Sequence, residues 1–381
     1  MALRKSVSAL TPAERVAYVQ AVKKLKAAPS RFTPPTTSRY DDYVFVHMQA
    51  MLVIKVNDTS KVVDNTNWTE VSSMRMPMWA HRCPAFLPWH RELLRNFEKD
   101  LQSVSGDPAL GLPYWDWSVD QNPAGVPWTV DFMGGDGHDG PVTLGPFAGS
   151  ANWKLNLSED NNNGGPGLDY LTRGFGLCAG FTRLPTPAEV QATLGEPIYD
   201  KSTWDDREAS GTFRNQLEGW YVPPGSTVGD GMHNLVHVWV GGNTGAMLPS
   251  SSPNDPIFFL HHCNIDRLWS VWQSLQAGPH YAPPAPLPGE PGQGLNEPMI
   301  FHDPAVSSTP PWSDPPATPG QVIDHRTLGY AYDTDGPVHP INTNFLAVDR
   351  NALAINQLVS SHLRIVPKDR FKRRLSELSR E

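Results

Sequence analysis

Asn254-Asp-Pro-Ile-Phe-Phe-Leu-His-His-Cys-Asn-Ile-Asp-Arg-Leu-Trp269 is an apolar run that carries two histidines, an aspartate and an arginine within it. Asn254 and Asp255 are capping residues, and Pro256 suits a first helical turn, so the stretch predicts a helix from Pro256 to about Gln276. Polar groups on so apolar a helix are costly unless something binds them. Adjacent positions on a helix diverge by about 100°, so only one of His261 and His262 can join a given metal. The helical wheel groups His262 with Ile265, Asp266 and Trp269, and His261 with Phe258, Ile265 and Leu268. Periodicity does not choose between the two.

Upstream, His233-Asn-Leu-Val-His237 places two imidazoles at i and i+4 on a helix expected over about 231–240. That spacing puts both on one face, as a metal requires when one helix supplies two ligands. A second group lies in the first third of the chain. His47 shares a helical face with Tyr40, Tyr43, Val44, Met51 and Ile54 on a helix expected from Ser38 to about Lys55. Pro84 and Pro88 keep residues 81–87 out of regular helix, so His81 falls in an irregular lead-in. Pro88 then opens a helix to about Val104 with His90 in its first turn and Leu93, Leu94, Phe97 and Leu101 along its apolar stripe.

Seven of the chain's 13 histidines thus sort into two clusters, each able to give a triplet. No carboxylate or thiolate joins them at ligand spacing. All-imidazole sites suit copper, zinc, iron or nickel, and copper heads the affinity order. One such site alone fits zinc hydrolysis. Two converging in one helical core point to paired coppers, which together supply the two electrons that reduction of dioxygen needs.

The rest of the chain sets the frame. Its 381 residues are 39% hydrophobic and 18% charged, enough for a substantial core in one large domain or two ordinary ones. The formal net charge is −8 and the body shows no dense basic face, which argues against a nucleic-acid partner. No apolar run approaches the roughly 18 residues of a membrane span. Cys83, Cys178 and Cys263 are too few and too scattered for a disulfide framework. Met1–Leu10 has basic residues but no apolar signal core, so a cytoplasmic location is expected, and the glycosylation patterns at Asn57 and Asn67 are read as chance. Thr11-Pro-Ala-Glu14 is a capping box that starts a helix with Val16, Val19, Val22 and Leu25 on one face. Residues 105–230 read as mostly irregular, with short helices near 187–194 and 204–219. Residues 278–320 form a Pro/Gly-rich belt, and Lys368, Arg370, Lys372, Arg373, Arg374 and Arg380 form a basic tail.

Four segments carry a resemblance: His81-Arg-Cys-Pro-Ala-Phe-Leu-Pro-Trp-His-Arg91, Leu112-Pro-Tyr-Trp-Asp-Trp117, His233-Asn-Leu-Val-His237 and the 254–269 run. Together they resemble the type 3 copper family of tyrosinases, polyphenol or catechol oxidases, o-aminophenol oxidases and hemocyanins. Tyr330-Ala-Tyr332 is similar to the motif that closes that family's catalytic domain, and the likeness spans about 38–335.

The resemblance implies a mainly α fold, with a central four-helix bundle (38–55, 88–104, 231–241, 256–276) holding a dicopper site among long irregular Pro/Gly-rich loops. A catalytic domain over 1–335 would be followed by a C-terminal extension over 336–381. His47, His81 and His90 would bind one copper, and His233, His237 and His262 the other, with dioxygen as co-substrate. His261 would neighbour the site, Phe258 would pack over a ligand beside the substrate cavity, and Asp266 with Arg267 would form a buried pair orienting the helix. Asn234, with Glu218 from Phe213-Arg-Asn-Gln-Leu-Glu-Gly-Trp220, matches the pair that in monophenol-hydroxylating members holds a water able to deprotonate the phenol.

The implied activity is ortho-hydroxylation of monophenols and oxidation of o-diphenols to o-quinones. The alternative is an o-aminophenol or catechol oxidase without hydroxylation. Two departures bear on that choice: the fourteen residues 219–232 make a long loop, and Val238 stands where some members have Arg. No cross-link to Cys83 is expected, since it follows His81 and residue 79 is Trp. Some members without a signal of their own are exported alongside a partner, which leaves export open; separately, a copper-delivery chaperone is a candidate partner beside the small phenolic or o-aminophenolic substrate.

Overall fold

The computed structural model describes residues 1–33, 36–51, 54–55, 79–134, 140–158, 168–202, 204, 211–221, 231–302, 309–312, 314–335 and 363–364. Seven α-helices occur among them: α1 (Pro12–Ala27), α2 (Arg39–Met51), α3 (Phe86–Ser105), α4 (Pro187–Leu194), α5 (Phe213–Glu218), α6 (Met232–Gly241) and α7 (Ile257–Leu275). Strands are short. β1 (Ala2–Arg4) pairs in parallel with Tyr330–Tyr332, Gly140–Pro141 pairs with Thr172–Arg173, and Ile54–Lys55 with Leu363–Arg364. No helix among the described residues is long and apolar enough to cross a membrane.

Local rules account for the helix ends. Thr11 and Glu14 cap α1 reciprocally, as Thr186 and Glu189 cap α4, each pair satisfying N–H groups that a first turn leaves open. α1 buries Tyr18, Val19, Ala21, Val22 and Leu25, but Val16 is 46% exposed and lies off the expected face. α3 starts two residues before Pro88. The proline is accommodated because N–H groups of a first turn have no partner four residues back, so a missing one costs nothing. Gly106 ends the helix in a left-handed conformation (φ 76°). α2 stops at Met51, short of the expected Lys55, where the chain turns extended. Of the helix expected over 204–219, the described residues show Phe213–Glu218 as helical, and 205–210 lie outside them. So do residues 222–230 of the 219–232 loop, Asn57 and Asn67, and the basic tail.

α3 packs against α1 and α7, and α7 against α6, which is consistent with a bundle around the histidines. Aromatic rings fill the space between α2, α3 and α7. Phe97 stacks on Phe259 with ring centroids 3.5 Å apart, and Tyr43 meets Phe97 edge-on at 5.1 Å. Tyr40 closes on Phe259 at 5.8 Å and anchors its hydroxyl on the Pro253 carbonyl (2.7 Å). Such pairs add about 0.5–1.5 kcal/mol each beyond the area they bury, and they fix the rotation of each helix about its axis.

The charged residues of α7 do not pair with each other, contrary to the expected Asp266–Arg267 pair. Adjacent helical residues face different sides, and each finds a distant partner. Asp266 takes Arg91 Nε (2.5 Å), Arg4 Nη1 (3.2 Å) and the hydroxyls of Tyr330 (2.7 Å) and Tyr332 (2.5 Å). Arg267 reaches Asp116 (2.8 Å) and lies 4.6 Å over the Tyr114 ring. Despite its burial, Asp266 is held below the ordinary carboxylate range by Arg91, Arg4 and the tyrosine hydroxyls.

Candidate metal centre

Six histidines of the two clusters project from helices: His47 from α2, His90 from α3, His233 and His237 from α6, and His261 and His262 from α7. His81 stands in the bend before α3. Within the first group ring centroids lie 4.8–5.8 Å apart (His81–His90 4.8, His47–His81 5.0, His47–His90 5.8). Within the second, His233 lies 4.5 Å from His237 and 4.9 Å from His262. The groups face each other. His90 stacks on His262 at 4.3 Å, His81 lies 5.8 Å from His233, and His90 6.4 Å from His233. Candidate ligand atoms lie within 4.8 Å of one another in each of two sets, His47/His81/His90 and His233/His237/His261/His262.

Backbone carbonyls set the tautomers. Nδ1 of His47 lies 2.6 Å from the Ser250 carbonyl, that of His90 2.8 Å from Phe86, that of His233 3.2 Å from Glu218 and that of His237 2.7 Å from Met247. A carbonyl only accepts, so in each neutral ring Nδ1 carries the proton and Nε2 keeps its lone pair. Nε2 of His47, His90 and His233 is buried with no hydrogen-bond partner, and Nε2 of His237 lies 3.3 Å from Nε2 of His262. Burial keeps the rings uncharged. It pulls His47 down to about 3 and His237 to about 4, and drives His81, His90, His233 and His262 well below the usual histidine value. A converging set of neutral imidazoles with unpartnered lone pairs fits a metal ion, whose binding would compensate what their burial costs.

His261 is different. The Trp117 indole lies 3.1 Å from its Nδ1. An indole N–H can only donate, so Nδ1 of His261 accepts and Nε2 of the neutral ring carries the proton. This is the converse of the tautomer fixed in the other four.

Two phenylalanines wall the cluster. Phe258, fully buried, tilts over His262 at 4.1 Å and meets His47 at 5.0 Å. Phe86, which the sequence reading passed over, contacts His90 and His233, each at 4.9 Å. Its signal was its place four residues before His90. Val238 is half-buried on α6, one residue beyond His237.

Glu218 and Asn234 both reach His233, in different ways. Asn234 Oδ1 lies 3.0 Å from His233 Nδ1, and the Asn234 amide nitrogen is buried without a partner. Glu218 offers its carbonyl to His233, while its fully buried carboxylate accepts from the backbone N–H of Arg82 (2.5 Å) and from Arg214 (2.9 Å). Arg214 is also held by Asp200 (2.8 Å). Burial pushes the Glu218 carboxyl above its ordinary value, against the pull of Arg214. Arg214 was readable as the i−4 neighbour of Glu218, but the Arg82 contact was not. Gly219 adopts φ 112° where a Cβ would come 2.5 Å from the Gly231 carbonyl and 2.9 Å from Asn234 Cβ, so only glycine lets α5 end this close to α6.

Residues 37–275 match the family model described as the common central domain of tyrosinase. A tyrosinase of Streptomyces glaucescens is 39% identical over 338 residues, covering 88% of this chain and 100% of that protein. A tyrosinase of Streptomyces antibioticus is 40% identical over 336 residues, 87% of this chain and 100% of its own length. The grixazone synthase of Streptomyces griseus is 36% identical over 349 residues, covering 87% and 99%. Among solved structures, a polyphenol oxidase variant from Thermothelomyces thermophila superposes with a TM-score of 0.50 at 29% identity, over 72% of this chain and 71% of that one. With its central segment matched and its relatives spanned from end to end, the chain belongs to the tyrosinase family.

Proposed function

We propose that this protein is a dicopper oxidase that uses dioxygen to convert phenols to o-quinones, hydroxylating monophenols at the ortho carbon and oxidising o-diphenols. The observation that carries this reading is the pair of facing imidazole triplets, in which His47, His90, His233 and His237 have Nδ1 protons held by backbone carbonyls and lone pairs directed inward. The family implies a dicopper centre, and the two histidine groups have the donor set for it. His47, His81 and His90 would hold one copper, and His233, His237 and His262 the other. Protonated Nε2 excludes His261 from that role. When bound, the copper pair supplies the two-electron reduction of dioxygen.

The chain's own residues shape the approach of substrate. Phe258 lies against His262 and His47 and offers a phenol ring an apolar face. The unpartnered amide of Asn234, with Glu218 on the same side of His233, is suited to hold a water that takes the phenol proton, since a phenol is a poor ligand until ionised. We assign residues 1–335 to the catalytic unit and 336–381 to an extension.

A second reading, oxidation of catechols or o-aminophenols without hydroxylation, draws on the Glu218 carboxylate being engaged by Arg82 and Arg214 and on Val238 after His237. Oxygen uptake by the copper-loaded protein with tyrosine, a catechol and an o-aminophenol separates the two. Turnover of all three after a lag on tyrosine is expected. Turnover of the latter two alone selects the second reading, and turnover of none defeats both.

A further inference from the structure

His81 is the one proposed ligand outside a helix, and its Nδ1 is buried with no hydrogen-bond partner among the described residues. Neither of the devices that orient the other imidazoles holds it: a helical backbone, or an Nδ1–H bond to a carbonyl. Its direction must come from the backbone of the bend it stands in. The next residue, Arg82, has φ 57°, a left-handed conformation that non-glycine residues enter only when something holds them there. The contact that holds it is the backbone N–H of Arg82 on the fully buried Glu218 carboxylate, at 2.5 Å.

The carboxylate is itself fixed. Arg214 binds its other oxygen at 2.9 Å, and Asp200 binds Arg214 at 2.8 Å. The residue before Asp200 ties down the same bend, since the Tyr199 hydroxyl donates to the Pro84 carbonyl at 2.7 Å. Glu218 also offers its carbonyl to Nδ1 of His233, which belongs to the facing triplet. One residue therefore touches both halves of the site, through its side chain toward His81 and through its backbone toward His233.

We infer that Glu218 is a positioning residue for metal binding: its carboxylate, braced by Arg214 and Asp200, locks the left-handed turn that aims His81, while its carbonyl sets His233 across from it. This inference rests on the dicopper reading and goes beyond it. It gives Glu218 a task before any substrate arrives. It also makes the two functions of the residue separable, because holding the turn needs an acceptor oxygen and assisting a proton transfer needs a carboxylate.

The test is titration of the purified full-length protein with copper alone, reading metal bound per chain and the affinity of each step. Glu218→Gln keeps an oxygen that accepts from Arg82 while losing the second oxygen that Arg214 braces, so it should weaken one step far less than loss of the acceptor does and leave the other unchanged. Glu218→Met has similar bulk and no acceptor. It should weaken one step by about 10–100-fold, the range for loss of a group that orients a ligand, and leave the other step as an internal sign of folding. Should Glu218→Met not fold, Asp200→Asn loosens the brace two side chains away and should weaken the same step in the same direction. Two native-strength steps in Glu218→Met, or in Asp200→Asn if that variant has to stand in for it, would overturn the positioning role. Fewer than two coppers on the unaltered protein would instead defeat the dicopper reading itself.

Discussion

The indole nitrogen of Trp117 lies 3.1 Å from Nδ1 of His261 and turns that imidazole into a proton-bearing neighbour of the histidine triplets. His262, next in sequence, has its Nε2 3.3 Å from Nε2 of His237. Two adjacent residues of the same type are thereby given opposite tasks by one hydrogen bond from a segment about 145 residues upstream.

His262→Ala should therefore lose one of two coppers and all oxidase activity. His261→Gln, which retains a polar side chain at a position with no lone pair to give, should keep both coppers. Metal analysis of the two purified variants checks this. A one-copper His261→Gln protein beside a two-copper His262→Ala protein would reverse the assignment.

Asp266 is the buried counter-charge to Arg4 and Arg91, with two tyrosine hydroxyls completing its shell. Removing one member of such a cluster leaves charge in the core without compensation, at a cost of about 3–5 kcal/mol. Asp266→Ala should lower the urea midpoint by that equivalent. Asp116→Ala, which frees the more exposed Arg267, should cost about 1 kcal/mol or less. Equal midpoints for the two variants would show that the α7 network carries no special share of stability.

Val238 follows His237 on α6 and is half-buried. Val238→Arg should favour phenols that carry a carboxylate. A partly exposed charge pair is worth about 0.2–1 kcal/mol, so KM for tyrosine should fall roughly 1.4–5-fold relative to tyramine. The gain should shrink in high salt, where the Debye length contracts to about 3 Å at 1 M. An unchanged KM ratio would place Val238 away from the substrate's carboxylate.

What could be read in the sequence follows from distance along the chain. Thr11 and Glu14 cap α1 as their spacing implies, and the i, i+4 pair His233/His237 faces one way because a helix leaves no choice. The reading failed where a partner lies far off. Nothing near Asp266 announces Arg4, and its neighbour Arg267 was the plausible but wrong choice. The choice between His261 and His262 needed Trp117, and the tautomers needed carbonyls, which have no residue signature at all. Val16 fits a helical stripe yet faces solvent, because the periodic pattern fixes a helix's apolar side but not how widely the neighbours cover it.

Arg4 and Tyr332 meet on Asp266 from positions 328 residues apart, on strands paired in parallel. During synthesis Arg4 can meet Glu98 early, but its strand must wait for its parallel partner until Tyr332 has left the ribosome. Only then can the clasp close around the helix that bears His262. A product truncated before Tyr330 would therefore lack both hydroxyls that hold Asp266, and with them part of what fixes the helix bearing His262.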